Sequence, residues 1–195
     1  MIRAVLFDAF ETTIRKPVYH NIWKIIRELS TSSAYPDPLI DYVDLRSYAE
    51  LLSVPYQQEW DTMLREEIEA ITVYEGVIPL LRDIKQAGVT VIIASNLASP
   101  YGPPVMRELG DLVSHYHLSY EQGKKKPDPS FLIDACREVF VNPQECLFLG
   151  NSRRDDLAAG NAADIRTLLI SENPSIKEEV ARDEAYAIIR DWMKR

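Results

Sequence analysis

The stretch Ala4-Val5-Leu6-Phe7-Asp8 decides the fold. Four apolar residues near the N-terminus, ended by an acid, read as a buried strand that delivers a carboxylate to the edge of a sheet. In an open α/β sheet, ligands bind outside the carboxyl ends of the strands. Asp8 is therefore a candidate nucleophile, base or metal ligand. A turn-like stretch follows, Ala9-Phe10-Glu11-Thr12-Thr13, and it places Phe10 where a second acid could share proton transfer.

Three further apolar runs read as buried parallel strands: Val89 to Ala94, Cys146 to Leu149 and Arg166 to Ile170, with a weaker candidate at Leu112 to Leu118. Helical periods alternate with them. Val77, Leu80, Leu81, Ile84 and Ala87 share one face, and Gly88 closes that segment as a C-terminal glycine does. Phe131, Leu132, Ala135 and Val139 mark a helix over Ser130 to Val139. Ser175 to Arg195 reads as an amphipathic helix with Val180, Ala187, Ile188 and Trp192 inward. This alternation predicts an α/β fold with a parallel sheet.

The connection from the first to the second strand is far longer than an ordinary crossover and needs structure of its own. It holds two helical patterns, Val18-Ile22-Ile25-Ile26-Leu29 and Trp60-Leu64-Ile68-Ile71, separated by a breaker at Ser30 to Pro38. Residues 15–72 read as a small helical insert over the strand ends; residues 1–14 and 73–195 form the core. Tyr19, Trp23, Tyr35, Tyr42, Tyr48, Tyr56 and Trp60 build the insert's own core or line a substrate pocket, the first being the favoured reading.

The bulk numbers narrow the function classes. The chain has 195 residues, 46% hydrophobic and 27% charged, ordinary for a soluble globular protein. No apolar run approaches the roughly 18 residues of a membrane helix. Asp8 cuts the N-terminal run too short for a signal peptide, so a cytoplasmic location is expected. A net charge of −8 argues against nucleic acid but allows a small anionic ligand in a local pocket. Cys136 and Cys146 read as buried thiols rather than a disulfide. The chain is expected to be a monomer or homodimer.

Polar groups gather at the strand ends. The second strand runs into Ser95-Asn96, and the third into Gly150-Asn151-Ser152-Arg153-Arg154-Asp155-Asp156. A basic turn, Gly123-Lys124-Lys125-Lys126-Pro127-Asp128-Pro129, precedes the third. A carboxylate nucleophile needs an electrophile held close, donors for its anionic oxygens and a cation to offset charge. Parallel strands bring all these groups to one crevice.

The set Asp8…Thr12, Ser95-Asn96, Lys126-Pro127-Asp128-Pro129 and Gly150-Asn151-Ser152…Asp156 resembles the four motifs of the haloacid dehalogenase (HAD) superfamily. The resemblance covers nearly the whole chain. It implies a Rossmann-like core with a C1-type helical cap and chemistry through a covalent aspartyl intermediate. Carried over, Asp8 is the nucleophile, Ser95 binds the transferring group with Asn96 beside it, and Lys126 steadies Asp8. Asp8, the main-chain carbonyl of Phe10 and Asn151 would hold Mg²⁺, with Asp155 or Asp156 supporting the metal or its water shell. Phe10, Thr12 and Asn96 would border the substrate.

Departures from the family pattern leave three readings. Phe10 replaces the acid that protonates the leaving oxygen, a contribution worth about 10²–10⁴-fold. Asn151 replaces an Asp, and Glu11 stands where Gly is commonest. The first reading is a weak or specialised phosphatase of a small phosphorylated metabolite. The second is a metal-independent 2-haloacid dehalogenase-like enzyme, since that branch carries an aromatic residue at the Phe10 position. That branch also needs a cap arginine near Leu39, and neither Arg27 nor Arg46 aligns obviously. The third is a catalytically degraded binding or regulatory protein.

Overall fold

The structure, a computed structural model, describes residues 1–33 and 36–194. In chain order its elements are β1 (Ala4–Phe7), β2 (Ile14–Arg15), α1 (Ile22–Leu29), α2 (Leu45–Leu51), α3 (Glu59–Glu69), β3 (Thr72–Val73), α4 (Val77–Gln86), β4 (Thr90–Ser95) and α5 (Gly102–Leu109). β5 (His115–Leu118), α6 (Ser119–Gln122), α7 (Pro129–Glu138), β6 (Cys146–Gly150), α8 (Ala158–Ala162), β7 (Arg166–Ile170), β8 (Glu179–Val180) and α9 (Arg182–Met193) follow. Six strands form one parallel sheet in the order β5-β4-β1-β6-β7-β8.

β1 lies inside that sheet, hydrogen-bonded to β4 and β6, which is why its sequence is apolar throughout. Its side chains alternate between two cores. Val5 and Phe7 pack with residues of α4, α5 and α9, and Ala4 and Leu6 with residues of α7 and α8. All four are fully buried, and burying a large one such as Phe7 stabilises the fold by roughly 1.5–3 kcal/mol. The expected layered α/β architecture is therefore the observed one.

Several boundaries differ from expectation for local reasons. The second strand is shifted by one residue to Thr90–Ser95, because Gly88 turns the chain at φ 74° and the Val89 N–H bonds back to Ile84 O at 3.1 Å. A 3₁₀ turn at Gly110–Leu112 delays β5 to His115. The C-terminal segment is not one helix. Val180 belongs to β8, paired with Ile170. The helix restarts at Arg182, so Ala185, Tyr186 and Ile189 face inward and Ala187 is exposed. Arg195 and Tyr35 lie outside the described residues. Cys136 and Cys146 are buried free thiols, and no helix among the described residues is long and apolar enough to cross a membrane.

The long connection holds α1, α2 and α3. They bury Ile22, Ile26, Tyr48, Leu52 and Trp60 in a separate cluster, with Trp23 and Tyr56 packed against it. Tyr19 and Tyr42 are exposed instead. Residues 15–72, proposed as the cap, begin and end on a two-stranded stem in which Arg15 pairs with Thr72.

Contacts hold the helices down on the sheet. Ser99 Oγ donates to Val43 O at 2.7 Å, Lys125 pairs with Asp37, and the Tyr42 and Tyr120 rings meet edge to face. The most buried link is Glu67 on α3. Its carboxylate accepts from Lys16 Nζ at 2.8 Å, from the His20 N–H at 2.5 Å and from the Tyr101 hydroxyl beyond β4. Glu67→Gln leaves Lys16 buried without a counter-ion, a defect that costs about 3 kcal/mol when one partner of a buried pair is removed. Denaturant unfolding should show that loss, and hydrogen exchange should quicken in α1–α3. Adding Lys16→Met should restore most of it.

Candidate active site

Parallel strands place Asp8 after β1, Ser95 at the end of β4 and Asn151 after β6 on one edge. At that edge lies a polar cleft of about 130 Å³ bordered by Asp8, Asn96, Lys126, Asn151, Ser152, Asp155 and Asp156. Lys126 lies at its centre, 1% exposed. Its Nζ lies 2.6 Å from Asp8 Oδ1 and 2.7 Å from Asp156 Oδ1, and donates to Ala94 O at 2.9 Å. Ser95 Oγ donates to Asp8 Oδ1 at 3.0 Å. Asp8 Oδ2 receives no hydrogen bond among the described residues and is the oxygen free to act.

Electrostatics follow from burial. Burial pushes the Asp8 carboxyl up to about 6, and the ammonium of Lys126 holds it from rising further. For Lys126 burial works against the charged form, but Asp156 and Asp8 outweigh it and raise its pKa. Asp8 is thus a carboxylate and Lys126 an ammonium at neutral pH.

The remaining expected residues divide by what they touch. Asn96 clasps the main chain of Lys126, with Nδ2 on its carbonyl at 2.8 Å and Oδ1 accepting its N–H at 2.9 Å. The Lys126–Pro127 peptide there is cis. Asn96, expected at the substrate, thus has both amide ends engaged in positioning the lysine. Thr12, also expected there, is fully buried and donates to Asn151 Oδ1 at 3.4 Å, tying the first motif to the fourth. Asp156 has no free oxygen for a metal: Oδ1 faces Lys126, and Oδ2 accepts the N–H groups of Asn151 and Ser152 at 2.9 Å each. Asp155 is half-buried at the rim and pairs with the exposed Arg154. Phe10 directs its ring away into an edge-to-face contact with Tyr101, centroids 5.7 Å apart.

Gly150 permits the approach of Asp156. A Cβ there would lie 2.5 Å from the Asp156 carboxyl carbon. Gly150→Ala should displace Asp156, lower stability by about 1–3 kcal/mol and weaken turnover. Thermal denaturation checks the first effect.

Other supporting residues left little trace in the sequence. Glu11 adopts φ 60°, a left-handed conformation that suits glycine. Its carboxylate accepts from the hydroxyls of Tyr74 at 2.5 Å and Tyr19 at 2.8 Å. Burial raises its pKa, but these hydrogen bonds dominate and hold it below the usual range. Glu11 is therefore a locked anion and no substitute for the acid missing at Phe10. Arg182, at the start of α9, donates to the carbonyls of Thr12 and of Glu11, the latter at 3.1 Å, and lies 3.6 Å over the Tyr74 ring. Lys16 Nζ lies within 5.6 Å of the ring centres of Phe10, Tyr19 and Tyr101.

The donor set suits a hard cation. Asp8 Oδ2, the Phe10 carbonyl, which accepts no hydrogen bond among the described residues, Asn151 Oδ1 and Asp155 are all oxygens, the ligands Mg²⁺ takes. The cleft also carries three carboxylates against the Lys126 ammonium and the Arg154 guanidinium at its rim, which leaves a net negative charge for a cation to offset.

Comparison with known proteins fits this geometry. N-acetylmuramic acid 6-phosphate phosphatase of Pseudomonas aeruginosa is 28% identical over 123 residues, 60% of this chain and 52% of that protein. The chain thus spans about half the length of that relative. Glyceraldehyde 3-phosphate phosphatase of Methanopyrus kandleri is 25% identical over 176 residues, 87% of this chain and 72% of that protein. Among solved structures, a 2-haloacid dehalogenase from Pseudomonas syringae superposes with a TM-score of 0.70 over 98% of this chain and all of its own, at 18% identity. That likeness concerns the fold alone. The model of the haloacid dehalogenase-like hydrolases matches residues 2–164. With its motifs meeting in one cleft, the chain belongs to the haloacid dehalogenase-like hydrolase family.

Proposed function

We propose that the protein is a phosphatase of a small phosphorylated metabolite, acting through a phosphoryl group carried on Asp8. The observation that supports this reading is that Asp8, Asn151 and Asp155 all offer oxygens to one cleft in which Asp8 Oδ2 accepts no hydrogen bond among the described residues. A metal-independent dehalogenase has no use for that set. Among the described residues, no arginine lines the cleft to hold a haloacid carboxylate, and Arg46 stacks on Tyr56 in the cap. Phosphatase relatives at 25–28% identity point the same way.

Asp8, the Phe10 carbonyl and Asn151 would hold Mg²⁺, with Asp155 beside them. The ion would supply charge neutralisation at the phosphoryl oxygens. Asp8 Oδ2 attacks phosphorus in line with the leaving oxygen, and the P–O bond to the leaving group breaks. Ser95 Oγ turns from Asp8 to a phosphoryl oxygen, and Lys126 offsets the charge that develops. Water then attacks the phosphorus and releases Asp8. The reaction would take place in the cytoplasm.

Proton donation separates this chain from a fully equipped phosphatase. Phe10 offers no proton and Glu11 is locked, so turnover should rise steeply with the acidity of the leaving group. Phe10→Asp is expected to accelerate alkyl phosphates more than aryl phosphates. Lys16 would hold the new carboxyl low, which puts the gain near the lower end of general acid catalysis, about 10²-fold. An unchanged alkyl-to-aryl ratio in a folded variant would mean that Phe10 is not the limiting defect.

The function is tested by a panel of phosphate esters and 2-haloacids, each with and without Mg²⁺. Mg²⁺-dependent phosphate release with no halide release supports a phosphatase. Halide release without metal makes the protein a dehalogenase, the reading Phe10 favours. Turnover of neither, in folded protein, leaves a binding or regulatory role.

A further inference from the structure

A second group of ligating side chains lies outside the cleft, on the open edge of the sheet. β5 is an edge strand, and His115 and His117, two apart, face the same side. Their register partners on β4 are Ile92 and Ala94. That is the face covered by α7, whose Phe131 packs in the same core as Ile92 and Ala94. Glu138 stands two helical turns beyond Phe131 and so shares its stripe of the helix. It therefore reaches the two imidazoles.

The result is a compact set. Glu138 Oε2 lies 2.6 Å from His115 Nε2 and 2.8 Å from His117 Nδ1, and the three ligand atoms all fall within 4.8 Å of one another. His117 is fully buried against the Phe131 ring, centroids 4.6 Å apart, while His115 and Glu138 open to solvent. The neighbouring charges are already matched. Asp134, one turn before Glu138, engages both Lys124 and Arg137, leaving the Glu138 charge to the imidazoles.

From this geometry we infer that His115, His117 and Glu138 form a binding site for a divalent transition ion of the Zn²⁺ class, with water completing its coordination. Two imidazoles and one carboxylate are a ligand set for Zn²⁺, Co²⁺ or Ni²⁺. Mg²⁺, which prefers oxygen, would not compete there. Each imidazole binds a metal through a nitrogen lone pair, His117 through Nδ1 and His115 through Nε2, the atoms turned toward Glu138. Ligation through Nδ1 places the ring proton on Nε2. That atom has no hydrogen-bond partner among the described residues, and the ion takes the place of Glu138 as the partner of Nδ1.

The test is Zn²⁺ titration by calorimetry with Mg²⁺ held at saturation, repeated with Co²⁺ and followed by visible absorption. Wild-type protein should bind one Zn²⁺ per chain, and Asp8→Asn should bind it equally well. His115→Ala should weaken binding at least about tenfold and remove the Co²⁺ bands. Glu138→Gln, on the exposed end of α7, should do the same without touching β5. Absence of saturable binding in wild type would overturn the site. So would binding that survives both variants or disappears with Asp8→Asn.

Discussion

Asp8→Asn is expected to lower Mg²⁺-dependent phosphate release by at least about 10⁴-fold, the scale set by removing a catalytic nucleophile, while leaving the fold almost unchanged. The two halves have separate causes. Asn lacks the charged oxygen that attacks phosphorus. Its loss does not strand Lys126, which keeps Asp156 at 2.7 Å and Ala94 O at 2.9 Å. It also removes a carboxylate whose burial raises its pKa to about 6, so the cost in stability should stay near 1 kcal/mol. Denaturant midpoints of the two proteins check the second half. A large drop there would mean that Asp8 is chiefly structural.

Lys126→Ala is expected to destabilise the protein by about 3–5 kcal/mol, in addition to abolishing activity. It would leave two buried carboxylates, Asp8 and Asp156, facing each other without their shared cation. The Ala94 carbonyl would lose its donor as well. Combining Lys126→Ala with Asp8→Asn should recover a substantial part of the loss. Without Asp8 the repulsion disappears and Asp156 keeps its bonds to the N–H groups of Asn151 and Ser152. Simple additivity of the two costs would contradict a coupled trio.

The fold was legible in the sequence where a strand is buried on both faces. The runs at Ala4 and Cys146 are continuous because every residue of β1 and β6 is buried, and those at Val89 and Arg166 are buried along most of their length. Asp8, Ser95, Lys126 and Asp156 were legible because they sit beside strand ends and in turns. Short elements held by contacts outside their own sequence were not. β2, β3 and β8 are each two residues long, too short for a period to form. α2 went unread, and the inward face of the C-terminus was read in part: Ile188 and Trp192 pack on the core, whereas Val180 lies in β8 and Ala187 is exposed. The contacts of Glu67 with Lys16 and Tyr101 and of Arg182 with the Thr12 carbonyl join distant parts of the chain, and no spacing rule reports them. Motif spacing also did not report what individual groups hold. Asn96, which borders the cleft, and Thr12 hydrogen-bond Lys126 and Asn151. Only the structure shows that both oxygens of Asp156 are engaged.

The central claim is that a phosphoryl group resides on Asp8 during turnover. It is tested most directly by acid-quenching the wild-type protein during turnover of an aryl phosphate with Mg²⁺ and mapping the peptides by mass spectrometry. The expected result is a peptide spanning Asp8 heavier by one phosphoryl group, present only during turnover and absent from Asp8→Asn. Steady phosphate release with no adduct on that peptide at any quench time, and equal release by Asp8→Asn, would contradict it.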